Sequence, residues 1–432
     1  MESQAYSIIA ATLYGNRGAE AMLETVVGRL RDESPSTRFH VFSYYPTEDR
    51  ALIRDDRLLI HSSTPSALVA WLLPWSLVFG VLIRLLGHKV LRMAPTPIRA
   101  LAESVALVDL AGVAFIDGRE KFLPFNILTL LPAWLLGVPI VKMPQAVGPF
   151  KRPLNRVAAR LVLPMCLKIW ARGGRTLVHL KDSGFQGIHF EQADDIAFNH
   201  QNRYSLTDEH SLEAEARLAG IPEARADGAF RGVVGLCPSS VLAVKSRKEG
   251  GNYEDVLVLL GRSLVDSGFL LVLFPNATRG SEGNAERNND IPVLRRVMER
   301  LAQDGSKTGG VICFDMDLNA AFIKRIIEAT DLSIVSRFHA MVGALSLSVP
   351  PLVLGWSHKY AEVMARFALE RFVVDYKDLG AVKLLEHVEA VFDEREWIRQ
   401  SIQEKLPEVK RGAARPVDDL LQLLDPRERN IA

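Results

Sequence analysis

Apolar positions along the chain recur with two alternating periods. Short runs in which nearly every residue is apolar, at 7–13, 39–44, 105–110, 139–142 and 168–171, have the texture of strands buried on both faces. Between several of them the spacing becomes helical. After the turn Tyr14-Gly15-Asn16-Arg17-Gly18, the residues Ala21, Met22, Thr25, Val26 and Leu30 fall on one side of a helix, and 126–136 and 154–163 read the same way. Strand, glycine turn and helix in that order open a parallel α/β domain. From 199 to 231 the texture turns polar, with Gly220, Pro222 and Gly228 and a predicted surface helix near 208–218, so the domain boundary is placed there. A second alternation follows. Strands are predicted at 232–237, 269–274, 310–314, 332–335 and 351–354, with helices at 253–267, 292–302, 320–329 and from Ala340. Helices ending in a polar tail continue from Val382. The predicted class is α/β, with two Rossmann-like domains facing a cleft: 1–215, then 228–400, then helices and tail over 401–432.

One segment breaks the pattern, an apolar helical insertion at 65–92. Residues 67–83, ALVAWLLPWSLVFGVLI, carry no charge and are followed by Arg84, His88, Lys89, Arg92 and Arg99. Seventeen residues sit at the short limit for crossing a bilayer, and Pro74 would bend a helix. Trp71 and Trp75 suit a membrane interface, and the basic flank suits anionic headgroups. Two readings stand: a helical hairpin buried against the first domain, or shallow docking at the inner face of the cytoplasmic membrane.

Composition narrows the compartment and partners. With 432 residues, 48% of them hydrophobic, the chain can bury two cores. The 52 Lys and Arg nearly balance 51 Asp and Glu, and no nucleic-acid motif occurs, so nucleic acid is not an expected partner. Cys166, Cys237 and Cys313 are far apart and form no CxxC pair, which argues against a disulfide framework or zinc site and for the cytosol. The start Met1-Glu2-Ser3 does not resemble a secretory leader.

Four motifs could carry chemistry. In Gly15-Asn16-Arg17-Gly18-Ala19-Glu20, glycines between strand and helix let backbone N–H groups approach an anion, though a plain turn would look similar. Ser336-Arg337-Phe338-His339-Ala340 follows a buried strand and opens a helix, the strand-end position where α/β sheets bind ligands. Arg337 offers a planar fork for phosphate or carboxylate, and His339 exchanges a proton near neutrality; the bland alternative is a salt bridge beside a capping histidine. In Trp356-Ser357-His358-Lys359-Tyr360, Lys359 could add a cation at the next strand end or simply be solvated. In Met143-Pro144-Gln145-Ala146-Val147-Gly148-Pro149, Gln145 could bind a sugar hydroxyl or merely shape a loop. Arg152, Arg156 and Arg160 then make a basic helical face. HExxH, P-loop, GxSxG and zinc spacings are absent; Asp194-Asp195 could bind a metal with phosphate, but adjacent acids in a loop usually face solvent.

In this order the motifs resemble the polysaccharide pyruvyltransferase family over about residues 6–375. The opening turn resembles the family's at Asn16 and Gly18; 115–118 supplies its acid as Asp117; 139–150 holds Gln145; 169–174 ends a strand in Arg172. Most specific is 336–340, similar to the family's Arg-x-His-Ala, with Lys359 at its later lysine. The chain departs from the family at Ala19, where Asp is frequent, and at Asn276, where a histidine is common. The resemblance implies a GT-B-like pair of Rossmann domains and transfer of pyruvate from phosphoenolpyruvate to sugar hydroxyls as a cyclic ketal in a cell-surface polysaccharide. No cofactor or metal is implied beyond phosphoenolpyruvate as co-substrate. A glycan or lipid-linked oligosaccharide is the implied acceptor. By the same resemblance Arg337 anchors the donor, His339 is the general acid and Lys359 an auxiliary cation. Asn16, Arg17, Gly18, Glu20, Asp117, Gln145, Arg172, Ser336 and Phe338 are the implied substrate contacts. The rival readings are a glycosyltransferase using a sugar nucleotide and a non-catalytic scaffold at the membrane.

Overall fold

The computed structural model describes residues 4–202, 205–207, 211–279, 288–303, 308–355, 357–378 and 380–423. Among these the strands form two wholly parallel sheets. The first contains β1 (Ala5–Ile9), β2 (Arg38–Ser43), β3 (Leu58–Ser62), β4 (Leu107–Asp109), β5 (Val113–Ala114), β6 (Ile140–Val147), β7 (Lys168–Arg172) and β8 (Phe190–Ala193). Its order is β3-β2-β1-β4-β6-β7-β8, with β5 paired to β6. The second contains β9 (Gly232–Cys237), β10 (Phe269–Leu273), β11 (Val311–Cys313), β12 (Leu332–Val335), β13 (Pro351–Gly355) and β14 (Val373–Asp375), in the order β11-β10-β9-β12-β13-β14. That is the doubly wound Rossmann order, with its switch between β9 and β12. Both sheets place their most apolar strands centrally, where helices cover both faces.

Beyond the two-residue β5, too short to make an apolar run, three strands were not expected from the sequence: β3, β8 and β14. Each lies at a sheet edge and carries polar residues such as His61, Glu191, Gln192 and Asp375, so no continuous apolar run announces it. The single helix expected at 126–136 is two, Leu123–Leu128 and Leu131–Leu136, because Pro132 has no N–H and fits only a first turn. The surface helix near 208–218 runs instead over Leu212–Ala226, with the Ser211 hydroxyl capping the N–H of Ala214; 208–210 lie outside the described residues.

The chain divides into two compact units, and the division differs from the expected 215–228 boundary. The first unit holds the chain up to Leu13, Met22–Ile196 and the chain from Arg411; the second holds Tyr14–Ala21 and Ala197–Lys410. The C-terminal segment is not a separate tail. In the long helix Arg395–Leu421, the last turns are pinned to the first unit by Tyr6 Oη donating to the Leu420 carbonyl at 2.9 Å. Lys168 pairs with Asp419 at 2.5 Å, and Arg29 with Asp418 at 3.0 Å. Helix α1 (Arg17–Glu33) opens in the second unit and continues in the first.

The apolar insertion is one helix, α2 (Pro65–Leu86), rather than a hairpin. A π-helical turn at Leu68–Leu72 precedes Pro74, and the wider coil accommodates the missing N–H without a break. Leu68, Leu72 and Phe79 enter the core of the first unit, whereas Trp75, Leu77, Val78 and Val81 are exposed.

Candidate functional site

The second unit gathers polar side chains at the carboxyl ends of its strands. At the switch point, β9 runs into Ser239-Ser240 and β12 into Ser336-Arg337, with Arg337 the N-cap of helix α7 (Phe338–Ser346). The Arg337 guanidinium is almost fully committed. Nε donates to both oxygens of Asp290 at 3.1 and 3.0 Å, and Nη2 to Asp290 Oδ1 at 2.5 Å and Ser240 Oγ at 2.9 Å. Nη1 donates to Asn288 Oδ1 at 3.1 Å. One Nη1–H remains without an acceptor among the described residues. Burial disfavours this charge, but the adjoining carboxylate more than offsets it, and the pKa of Arg337 stands above its ordinary value.

Asp290 is the organiser of this corner. Fully buried, it also accepts from the N–H of Ser240 at 2.8 Å and of Asn276 at 3.2 Å, so one carboxylate joins the loops after β9, β10 and β12. It immediately precedes helix α5 (Ile291–Gln303), whose N-terminal dipole favours a negative charge. Ser336 is held away from solvent: its hydroxyl pairs with Tyr253 Oη at 2.8 Å and its carbonyl accepts from Tyr360 Oη at 3.1 Å. The structure therefore gives Ser336 a bracing role between the two tyrosines.

The opening loop belongs to the same unit. A Cβ built on Gly18 would overlap the imidazole of His339, so the ring lies directly against that glycine backbone. Gly15, at φ +77°, is in the region that favours glycine, and its carbonyl accepts from Asn288 Nδ2 at 3.4 Å. Arg17 is buried, with Nη1 on Glu20 at 2.7 Å and Nη2 on Asp317 at 2.5 Å and on Thr278 Oγ1 at 2.7 Å. Glu20, also buried, accepts from the N–H of Ala320 at 3.3 Å; Asn16 Oδ1 accepts from the N–H of Ala19 at 3.3 Å. These bonds fix the loop that faces His339. Phe338 packs edge-on to His339 with ring centroids 5.3 Å apart, and Lys359 Nζ sits 4.8 Å from the Phe338 centroid. Trp356 lies outside the described residues.

Sequence reading missed Asp290, Asn288, Ser240 and Lys324. For Asp290 a signal existed in Asp290-Ile291-Pro292, an acid before proline at a helix start. Lys324, on helix α6 (Ala320–Glu328), lines a small pocket with Arg17, Asn276 and His339. Its Nζ donates to the His200 carbonyl at 2.7 Å, and burial lowers its pKa to about 8. A lysine at a position in register with the apolar residues Ala320, Ile323 and Ile327 was the sign.

Three predicted site residues lie in the first unit. Arg172 ends β7, with Nη1 on Asp195 at 2.7 Å and Nη2 on the Gly112 carbonyl at 2.8 Å. Asp195 is thus an ion-pair partner, not a solvent-facing acid. Gln145 is fully buried on β6, donating to the Met143 carbonyl at 3.2 Å. Asp117 accepts from the N–H groups of Lys151 and Arg152 at 2.7 and 3.2 Å and from Asn155 Nδ2 at 2.9 Å, which ties it to the residues leading into the helix Pro153–Val162. The donors of that helix start occupy the carboxylate expected to meet substrate.

Two Rossmann-type units with polar strand ends define the class: the two-domain fold of GT-B glycosyltransferases and sugar-nucleotide epimerases. Solved relatives share it across nearly their whole length. The UDP-GlcNAc 2-epimerase of Neisseria meningitidis bound to UDP-GlcNAc matches with a TM-score of 0.57 at 12% identity, covering 97% of this chain and 100% of that one. A glycosyltransferase from Rickettsia africae matches with a TM-score of 0.56 at 11% identity, covering 98% and 99%. Within that class the chain belongs to the polysaccharide pyruvyl transferase family, whose profile matches residues 16–358. It is also 20% identical over 398 residues to the amylovoran biosynthesis protein AmsJ of Erwinia amylovora, covering 90% of this chain and 92% of that protein.

Proposed function

We propose that this member of the family transfers pyruvate from phosphoenolpyruvate to two hydroxyls of a polysaccharide sugar, closing a cyclic ketal, with His339 as the general acid. The observation that carries the reading is the seating of the His339 imidazole against Gly18, in the first turn of a helix whose preceding residue, Arg337, is locked by Asp290. A proton donor held this firmly beside a helix N-terminus suits an anionic donor.

In the proposed reaction the His339 imidazolium gives its proton to the methylene carbon of phosphoenolpyruvate, leaving positive charge on the adjacent carbon. A sugar hydroxyl adds there and returns its proton to His339. Phosphate then leaves as the second hydroxyl closes the ring, and that hydroxyl's proton ends on phosphate. The two sugar protons thus finish on the new methyl group and on phosphate. Lys359 supplies the auxiliary cation. The Arg337 charge is already matched by Asp290, so in this reading it positions α7 and offers one N–H rather than an unpaired charge.

The test is release of inorganic phosphate from phosphoenolpyruvate with a candidate glycan. His339→Ala is expected to slow turnover about a hundred- to ten-thousandfold while the thermal transition of the folded protein is retained. Near-normal turnover in that variant overturns the assignment. Release of a nucleoside diphosphate from a sugar nucleotide, with none of phosphate from phosphoenolpyruvate, would favour the glycosyltransferase reading instead.

A further inference from the structure

The first unit carries an outer surface whose chemistry the transfer reaction does not use. Helices α2, α3 (Leu131–Leu136) and α4 (Pro153–Val162) share one buried core, through Leu72 and Phe79, Ala133 and Leu136, and Ala159 and Val162. Right-handed crossovers from β3 to β4, β4 to β6 and β6 to β7 put all three on the same sheet face. Their outward sides therefore face the same way.

Those outward sides are apolar. On α2, Val78, Val81 and Leu85 are 46%, 47% and 73% exposed; on α3, Trp134 is 47% exposed. On α4 the usual arrangement is inverted. Ala158, Ala159 and Val162 face the core, while Leu154, Val157 and Leu161, one helical stripe, are 64%, 56% and 65% exposed. Beside that stripe run the exposed Arg156 and Arg160. Large side chains left in water along a row of arginines are the pattern of a helix lying in a lipid interface.

Charge points to the same occupant. The whole chain is nearly neutral, yet every Asp and Glu is missing from residues 57–102 and from 121–181, the two stretches that build these helices. Lys89 and Arg92, exposed just after α2, continue the bias. Such a surface is matched to an anionic leaflet.

Helix α2 is long enough to span a membrane at 22 residues, with mean hydropathy 2.1 over its most apolar 18, but its packing opposes that. A Cβ on Gly80 would collide with the Leu135 carbonyl, so the two helices meet backbone to backbone, and Arg84 Nη1 donates to that same carbonyl at 2.9 Å. Leaving the unit to cross a bilayer would open the core at Leu72 and Phe79.

We propose that the outer faces of α2, α3 and α4 together form a peripheral docking surface for an anionic bilayer, with α4 an anchor separate in sequence from the apolar insertion. The surface lies flat in the headgroup region and no helix crosses. It stands independently of the reaction proposed for His339.

The experiment is co-sedimentation of the full chain with vesicles of phosphatidylcholine, with and without phosphatidylglycerol. The wild-type protein is expected to pellet with anionic vesicles, less at high salt, and to stay largely soluble with neutral ones. Arg156→Glu with Arg160→Glu, and separately Val157→Glu with Leu161→Glu, should each lower the partition by about tenfold or more, since one basic residue near the surface contributes about 1 kcal/mol. Val81→Glu should do the same from α2. Thermal melting of each variant checks folding, and phosphate release with a soluble acceptor should be unchanged. A wild-type protein that ignores anionic vesicles overturns the proposal. So do α4 variants that bind as well as wild type, and so does a dimer by light scattering that these substitutions dissolve, since a second copy would then be what covers the surface.

Discussion

Gly18 and His339 are 321 positions apart in the chain, yet a single methyl group would set them in conflict. Gly18→Ala is expected to cost about 1–3 kcal/mol, the usual range for forcing extra volume into a packed site, measured by urea denaturation. In a His339→Ala background the same substitution should cost markedly less, because the atoms it strikes are gone. Equal costs in the two backgrounds would mean the imidazole does not rest on that glycine. Arg337 and His339 were legible in the sequence because a buried apolar run, an Arg-x-His and a small-residue helix adjoin one another. Asp290 was not legible as their partner. It lies 47 residues before Arg337, in a polar loop, and only the parallel sheet brings it under the guanidinium. The salt bridge that stood as the bland alternative at Arg337 is present, with Asp290 as its partner.

At the scale of elements, the central strands announced themselves and the edges did not. A central strand such as β10, Phe-Leu-Leu-Val-Leu, is apolar throughout because both faces are covered. The edge strand β3 carries His61 beside His40 of β2, with Nδ1 and Nε2 3.1 Å apart. Burial, reinforced for His40 by Arg38 and for His61 by His40 and Arg50, lowers both pKa values from 6.5 to about 4. Both rings are therefore neutral in the fold, while the unfolded chain takes up protons below pH 6.5. Their contribution to stability is complete above pH 6.5 and is lost as pH falls towards 4. Urea midpoints measured across that window should drop steeply, and His40→Asn should flatten the fall. A wild-type midpoint constant down to pH 4 would contradict the burial of this pair. Helices followed the same logic as strands. The spacing at 154–163 found α4, but periodicity alone could not show that Leu154, Val157 and Leu161 face outward.

At the scale of the whole molecule, alternation of strand and helix sufficed for two Rossmann-type sheets, and the solved structures of like fold agree with that reading. The borders were less legible, since a change to polar texture marks exposed loops as readily as domain limits. What decides them is which groups answer which: the Leu420 carbonyl with Tyr6, and Arg17 with Asp317 and Thr278.

That the stretch Tyr14–Ala21 belongs with residues from Ala197 onward has a consequence for inheritance and engineering. A single crossover between two relatives at position 196 would graft a foreign octapeptide onto the recipient's histidine, and a foreign terminal helix onto the recipient's first sheet. Chimaeras joined there should be poorly soluble or inert, whereas those that carry 14–21 along with 197–410 should recover activity. Equal performance of both designs would mean that the eight residues are interchangeable.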